Sequence, residues 1–246
     1  SMPYLDGVVH YFLENDAAVA AFRVGKIDCG CPISEPAWIG ANLPTDGEGG
    51  PATAARLGTI SALAVANDGT IYIALSQFFV IRKVGPDGII RRFAGAGGGG
   101  SFAGDGGLAT AALLSTPSGL AVGLDGSVFI GDTNNNRIRQ VRTDGIIRTF
   151  AGSGFGFSGD GLPAISAKMN GPTGVAVGPD GSVYVADDGN RRLRRITPQG
   201  IMTTVAGSGG IYAPFIDGIP ATRADGAGNP RRSARDVARQ LVEWAK

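Results

Sequence analysis

Apolar residues along this chain fall in short runs, each closed by a polar turn, and the runs recur in one order. "LAV" (63–65) leads through "NDG" to "TIYIA" (70–74), "LAV" (120–122) through "LDG" to "SVFIG" (127–131), and "VAV" (175–177) through "PDG" to "SVYVA" (182–186). Two further runs follow each time. "VIRKV" (80–84), "RIRQV" (137–141) and "RLRRI" (192–196) precede "GIIRRFAG" (88–95), "GIIRTFAG" (145–152) and "GIMTTVAG" (200–207). Asp-Gly pairs tolerate the positive φ needed where two strands double back. Unbroken apolar runs suit strands covered on both faces, whereas alternation with Arg and Thr suits strands nearer an outer edge.

The recurrence can be counted. Asp125, Gly126, Asp132, Gly145 and Ala151 reappear 55 residues on as Asp180, Gly181, Asp187, Gly200 and Ala206. Stepping back by 57 meets Asp68, Gly69, Gly88 and Ala94, with Leu75 in place of Asp132. Three copies of four strands result, assigned to residues 45–97, 98–154 and 155–209. Four antiparallel strands per repeat make the blade of a β-propeller, whereas a helical solenoid would need a helix of about 10–15 residues in each unit, which no copy contains. The predicted fold is all-β.

The ends depart from the repeat. "LDGVVHYF" (5–12) matches the fourth strand and predicts an orphan outer strand within residues 1–12, followed by an insertion at 13–44. "IDGIPATRAD" (216–225) matches the loop "GDGLPAISAK" (159–168), so 210–228 reads as the start of a truncated repeat. Residues 229–246 predict an amphipathic helix. Asn229 suits its N-cap and Pro230 its first turn, and Ala234, Val237, Ala238, Leu241 and Ala245 share one face. Three blades are too few to close a ring, since propellers hold about four to eight. Either the chain is a piece of a longer propeller or two chains complete one another, and self-association into a homodimer of about six blades is the expectation.

Composition narrows the picture further. Glycine supplies 41 of 246 residues without a collagen period, as many tight turns require. An apolar fraction of 43% argues against disorder. The formal net charge of +1 supplies no global field toward nucleic acid or anionic lipid. No stretch is long and apolar enough for a membrane span, and no secretory leader is visible.

The stretch "GFSGDGLPAISAKMNGPTGVAVGPDGSVYVADDGNRRLRRITPQGIMTTVAG" (155–207) resembles the NHL-repeat family. The signature combines a Gly-Asp-Gly loop, Pro-x-Gly-hydrophobic-Ala-Val, Asp-Gly, Tyr/Phe-x-x-Asp, Asn-x-Arg-hydrophobic-Arg and a closing Ala-Gly. It runs through all three copies, about two thirds of the chain. The resemblance implies a β-propeller, often six-bladed, that serves as a binding platform in a larger protein. The Gly-Asp-Gly loops and the "DGIIxTxAG" endings look most like bacterial extracellular proteins, some found beside teneurin- or Rhs-like shells. An extracytoplasmic or secreted location is favoured if the source is bacterial. The first copy departs from the pattern, with Leu75-Ser76-Gln77-Phe78-Phe79 where the others carry Asp-x-x-Asn-x.

Several residue sets could carry chemistry. Asp132 and Asp187 follow the second strand, and Arg137 and Arg192 recur just after. Each carboxylate is expected to bond its turn and pair with an arginine on the next strand; a calcium ring would need six to eight converging oxygens, which one carboxylate per blade does not supply. Asp46, Asp105, Asp160 and Asp217 sit in glycine-rich loops that read as turns, because a phosphate cradle would feed a helix N-terminus. Arg82, Arg91, Arg92, Arg137, Arg139, Arg142, Arg148, Arg191, Arg192, Arg194 and Arg195 all fall on or beside third and fourth strands. They read as a solvated outer edge rather than an RNA-binding face, since clustered charge with aromatic stacking partners is lacking. Cys29 and Cys31 with His10 offer three zinc ligands where structural zinc wants four, so two free thiols are expected and no metal site. With a single histidine, no nucleophile–base–orienter set can be assembled, and no cofactor is expected.

These readings converge on a non-catalytic interaction module with a protein or glycan partner, possessed of loops at one face. The polar turn residues Thr133, Asn134, Asn135 and Asn136, with Asp188, Gly189, Asn190 and Arg191, are the candidate binding positions. The alternatives are a propeller lyase or hydrolase with a metal in its channel, and a single-stranded RNA-binding NHL domain; nucleic acid is the least supported partner.

Overall fold

A computed structural model describes residues 47–99 and 101–210. The chain divides into two compact units, Ser1–Ala41 and Asn42–Lys246, and the described residues all belong to the second. The expected orphan strand, the insertion with Cys29 and Cys31, His10, Asp46, Asp217, the truncated repeat and the terminal helix lie outside the described residues.

Each of the three copies folds as one antiparallel sheet. The first holds β1 (Ile60–Val65), β2 (Ile71–Leu75), β3 (Val80–Val84) and β4 (Ile90–Ala94). The second holds β5 (Pro117–Val122), β6 (Val128–Asp132), β7 (Arg137–Val141) and β8 (Ile147–Ala151). In the third, the two-residue β9 (Leu162–Pro163) comes first in sequence but pairs at the outer edge. The order there is β10 (Pro172–Val177), β11 (Val183–Asp187), β12 (Arg192–Ile196), β13 (Ile201–Ala206), then β9. Every other neighbour in a sheet is also the next strand in sequence, the meander of a propeller blade. Among the described residues the other regular elements are short 3-10 turns, and no helix is long and apolar enough to cross a membrane.

Two register shifts recur in every blade. The first leaves Ser61, Ser118 and Thr173 unpaired on the innermost strands, between Ile60/Ala62, Pro117/Gly119 and Pro172/Gly174. The second falls between Ile81/Arg82, Ile138/Arg139 and Leu193/Arg194. Bulges of this kind re-aim a side chain. Ser61 uses its freedom to donate to the Pro117 carbonyl of the next blade at 2.7 Å.

The core lies between blades rather than within them, because facing sheets bury their apolar residues against each other. One apolar cluster joins Ala74, Ile81 and Ala94 of the first blade to Leu120, Val128 and Ile130 of the second. Another joins Phe129, Ile138 and Ala151 of the second to Val175, Val183, Val185 and Met202 of the third. The 3-10 turns Ala109–Ala111 and Ala164–Ser166 wedge into these seams, where Ala109, Ala112, Ala164 and Ala167 are buried. The outer strand of one blade ties to the turn leading into the next, as Gly152 N–H donates to the Ala164 carbonyl and Ser153 N–H to that of Ala167.

Candidate functional site

The last residue of the second strand, Asp132 in β6 and Asp187 in β11, stands at the same end of its blade as the start of the first strand. Both side chains are fully buried. Asp132 accepts from Ser115 N–H at 2.7 Å, from Asn135 Nδ2 at 2.9 and 3.0 Å, and from Arg139 Nη1 at 3.4 Å. Asp187 repeats the set with Asn170 N–H at 2.8 Å, Asn190 Nδ2 at 2.9 Å and Arg194 Nη1 at 3.2 Å. Burial pushes both carboxyls above their ordinary value, against the pull of these bonds. Every partner is an N–H donor, which a metal ion would have to displace. Among the described residues no group of three or more His, Cys, Asp or Glu comes together to hold one.

The expected pairing of carboxylate with arginine holds, with a change of partner. Arg137 and Arg192 are the backbone neighbours of Asp132 and Asp187, yet they turn to the Asn135 and Asn190 carbonyls at 2.9 and 3.1 Å. The ion pairs go to Arg139 and Arg194, two residues deeper in the strand. These arginines, with Arg82, have no exposed side-chain surface, which corrects their reading as a solvated outer edge. That reading fits Arg91 and Arg142, which are exposed and pair with Asp87 and Asp144.

The second guanidinium nitrogen of each buried arginine reaches the glycine-rich loop. Arg139 Nη2 donates to Asp105 at 2.7 Å, and Arg194 Nη2 to Asp160 at 2.9 Å. These loop aspartates are therefore ion-pair partners as well as turn residues. In the first blade the equivalent carboxylate is Glu48, which accepts from Arg82 at 3.2 Å and from the Arg92 N–H. Gly47 and Gly104 fix this correspondence, since both have positive φ and a Cβ on either would strike the alanine, Ala55 or Ala112, that closes the loop. Aligning Asp46 with Asp105 is thereby corrected by two residues. Rings complete the pattern. Phe102 packs under Arg137 and Arg139 at 4.2 and 4.7 Å, and Phe157 under Arg192 and Arg194 at 3.8 and 4.9 Å. Their 55-residue spacing was the available signal.

The predicted binding positions sit on top of these networks. Thr133–Asn135 and Asp188–Asn190 are 3-10 turns, closed by Asn136 and Arg191 in the left-handed conformation at φ 55° and 52°. Asn134, Asp188, Gly189 and Arg191 are exposed; Thr133, Asn135, Asn136 and Asn190 are half-buried. The half-buried ones carry structural bonds. Thr133 donates to the Pro172 carbonyl at 2.8 Å, and Asn136 Oδ1 accepts from Gly171 N–H at 2.9 Å. Gly189 N–H in turn donates to the Asn170 carbonyl. The two turns are thus joined through Asn170-Gly171, on one face of neighbouring blades. In the first blade Leu75 and Phe78 replace the aspartate and asparagine, and Phe79 holds the left-handed position at φ 58°.

Comparison with known proteins agrees with this geometry. A model of the teneurin NHL domain matches residues 96–158 and 154–215. Teneurin-1 of Mus musculus is 41% identical over 98 residues, which cover 34% of this chain and 4% of the relative. Teneurin-m of Drosophila melanogaster is 32% identical over 168 residues, covering 62% of this chain and 6% of that protein. The chain therefore spans only a few per cent of the length of these relatives. Virginiamycin B lyase from Staphylococcus aureus superposes on 59% of the chain at 21% identity, covering 40% of the lyase with a TM-score of 0.42, an overlap that says nothing about chemistry. With its repeats built into four-stranded blades and matched over residues 96–215 by the teneurin NHL domain, this chain is similar to the NHL-repeat β-propellers.

Proposed function

We propose that the chain is a non-catalytic interaction module that presents the turns Thr133–Asn136 and Asp188–Arg191 to a protein partner, within a larger secreted or surface protein. The observation that carries this reading is the division of labour inside the two turns. Asn135 and Asn190 are locked to buried carboxylates, so the backbone is fixed from below, while Asn134, Asp188, Gly189 and Arg191 project into solvent. A frame held this way loses little conformational entropy on binding, and the tips are free to vary without disturbing the core. Their mixed amide, acid and guanidinium chemistry suits a polar protein surface better than a sugar ring, which stacks on aromatic faces.

A binder selected from a displayed protein library against the parent chain, or a neighbouring segment of the full-length protein, provides the test. Binding should be lost in Asn134→Ala/Asp188→Ala/Arg191→Ala while the thermal transition stays in place. Binding undiminished in that variant overturns the reading, and a glycan array that captures the parent chain would replace the protein partner by a saccharide.

A further inference from the structure

Asn170 alone among the asparagines of the chain is followed by glycine. In such a pair the backbone nitrogen of the second residue can close a ring on the side-chain amide of the first, and glycine has no Cβ to crowd the approach. The fold holds this pair at the seam between the second and third blades. Gly171 N–H donates to Asn136 Oδ1, in the turn of the second blade, at 2.9 Å, and Gly171 is left-handed at φ 58°. Asn170 N–H donates to the buried Asp187 at 2.8 Å, and the Asn170 carbonyl accepts from Gly189 N–H at 2.9 Å. The Asn170 carboxamide lies over Gly189, where a Cβ would overlap it. The peptide that would react is thus tied at both of its polar groups, its carbonyl by Gly189 and its N–H by Asn136.

We propose that Asn170 is a site of spontaneous deamidation and that Asn136 protects it in the folded chain. In the reaction the Gly171 nitrogen forms a bond to Asn170 Cγ, the bond from Cγ to Nδ2 breaks, and ammonia leaves with the proton of the attacking N–H. Water then opens the cyclic imide at either carbonyl, which yields aspartate or its β-linked isomer. The attacking nitrogen must give up its proton, and the hydrogen bond it donates to Asn136 Oδ1 favours the protonated form. The peptide must also turn toward its own side chain, which the bonds to Gly189 and Asp187 resist. Reaction therefore waits for local opening of the seam. Either product places a carboxylate on the residue that donates to the buried Asp187, where little water screens the repulsion. The β-linked product also lengthens the backbone by a methylene. The change is one-way and unties the two turns proposed above to bind, but the chemistry does not rest on that reading.

The test follows position 170 by peptide mapping of the 246-residue chain held in mildly alkaline buffer. The native parent is expected to keep Asn170, and the parent in urea to lose it several-fold faster. Asn136→Leu removes the acceptor at a left-handed position that Phe79 fills in the first blade. Folded, it is expected to approach the rate seen in urea. Asn136→Asp keeps an acceptor oxygen and is expected to match the native parent. Hydrogen exchange at the Gly171 amide of the native parent is expected to be slow, and it decides the matter if Asn136→Leu does not fold. Equal rates in the native and unfolded parent overturn the proposal, as does rapid exchange at Gly171 or a folded Asn136→Leu that keeps Asn170 as the parent does. Loss from Asn136→Asp as fast as from Asn136→Leu equally overturns the role given to the bond.

Discussion

The Arg194 guanidinium meets the Asp187 carboxylate at 3.2 Å, and neither side chain has any exposed surface. Arg139 and Asp132 repeat the contact one blade earlier at 3.4 Å. Removing one partner of such a pair leaves a buried charge without compensation, which costs about 3–5 kcal/mol. Arg194→Met should therefore lower the unfolding free energy by about that much, read from the urea midpoint at unchanged slope. The first blade shows how to dispense with the pair. Asp187→Leu combined with Asn190→Phe and Asp160→Glu copies Leu75, Phe78 and Glu48, and should recover most of what Asp187→Leu alone loses.

Within the turns, stability should separate the residues by role. Asn190→Ala removes the donor to Asp187 and to the Gly156 carbonyl at 2.7 Å, and leaves a buried carboxylate oxygen short of a partner. A loss of about 1–3 kcal/mol is expected. Asp188→Ala and Asn134→Ala, on exposed tips, should stay within about 0.5 kcal/mol of the parent. Thermal unfolding of the three variants under one buffer makes the comparison.

The closing Ala-Gly of each repeat has a steric cause. Gly152 has φ +98°, and a Cβ there would come within 2.5 Å of the Asn136 carbonyl oxygen. Gly145 has φ +81° with nothing within 4 Å. Gly145→Ala should cost only the left-handed backbone penalty, about 1–2 kcal/mol. Gly152→Ala should cost clearly more, because the turn that carries Asn136 must also move. Equal midpoints for the two variants would contradict this account.

Acid should weaken the fold through its surface turns. A bond from Ser182 N–H, then one from the Ser182 hydroxyl, holds the Asp180 carboxyl below its ordinary value; the Ser127 hydroxyl does the same for Asp125. The folded form thus gives up these protons more readily than the unfolded chain. The stability they contribute is present above the ordinary carboxylate value and is lost as pH falls through the depressed one. Asp132 and Asp187, raised by burial, act with opposite sign: stability tied to them declines as pH rises through values above the ordinary one. Asp125→Asn/Asp180→Asn should lower the melting temperature at neutral pH and flatten its acid limb, so that the variant and parent curves converge as pH falls.

The blades were legible because a 55-residue recurrence fixes turns and apolar positions together, and Asp-Gly turns between short apolar runs leave antiparallel pairing as the way to satisfy the backbone. The ion pairs were half legible. Asp132 and Asp187 declared themselves by recurring after the second strand, but Arg137 and Arg139 recur with the same spacing and point to the same side of β7. Spacing therefore could not choose between them. Depth in the sheet chose: Arg137 lies at the rim, while Arg139, next to a register shift, lies where water is excluded. The glycine-rich loop behaved likewise. An aspartate in each copy suggested Asp46, but the correspondence follows the positive φ of Gly47 and Gly104 and selects Glu48. The sequence by itself thus determined what is local and periodic: strands, turns and the repeat that sets them into blades. Only the tertiary structure decided which arginines lose their water and which carboxylates meet them. Those outcomes depend on what packs across a seam between repeats, and a repeat places the same residues in every blade without stating what stands beside each one.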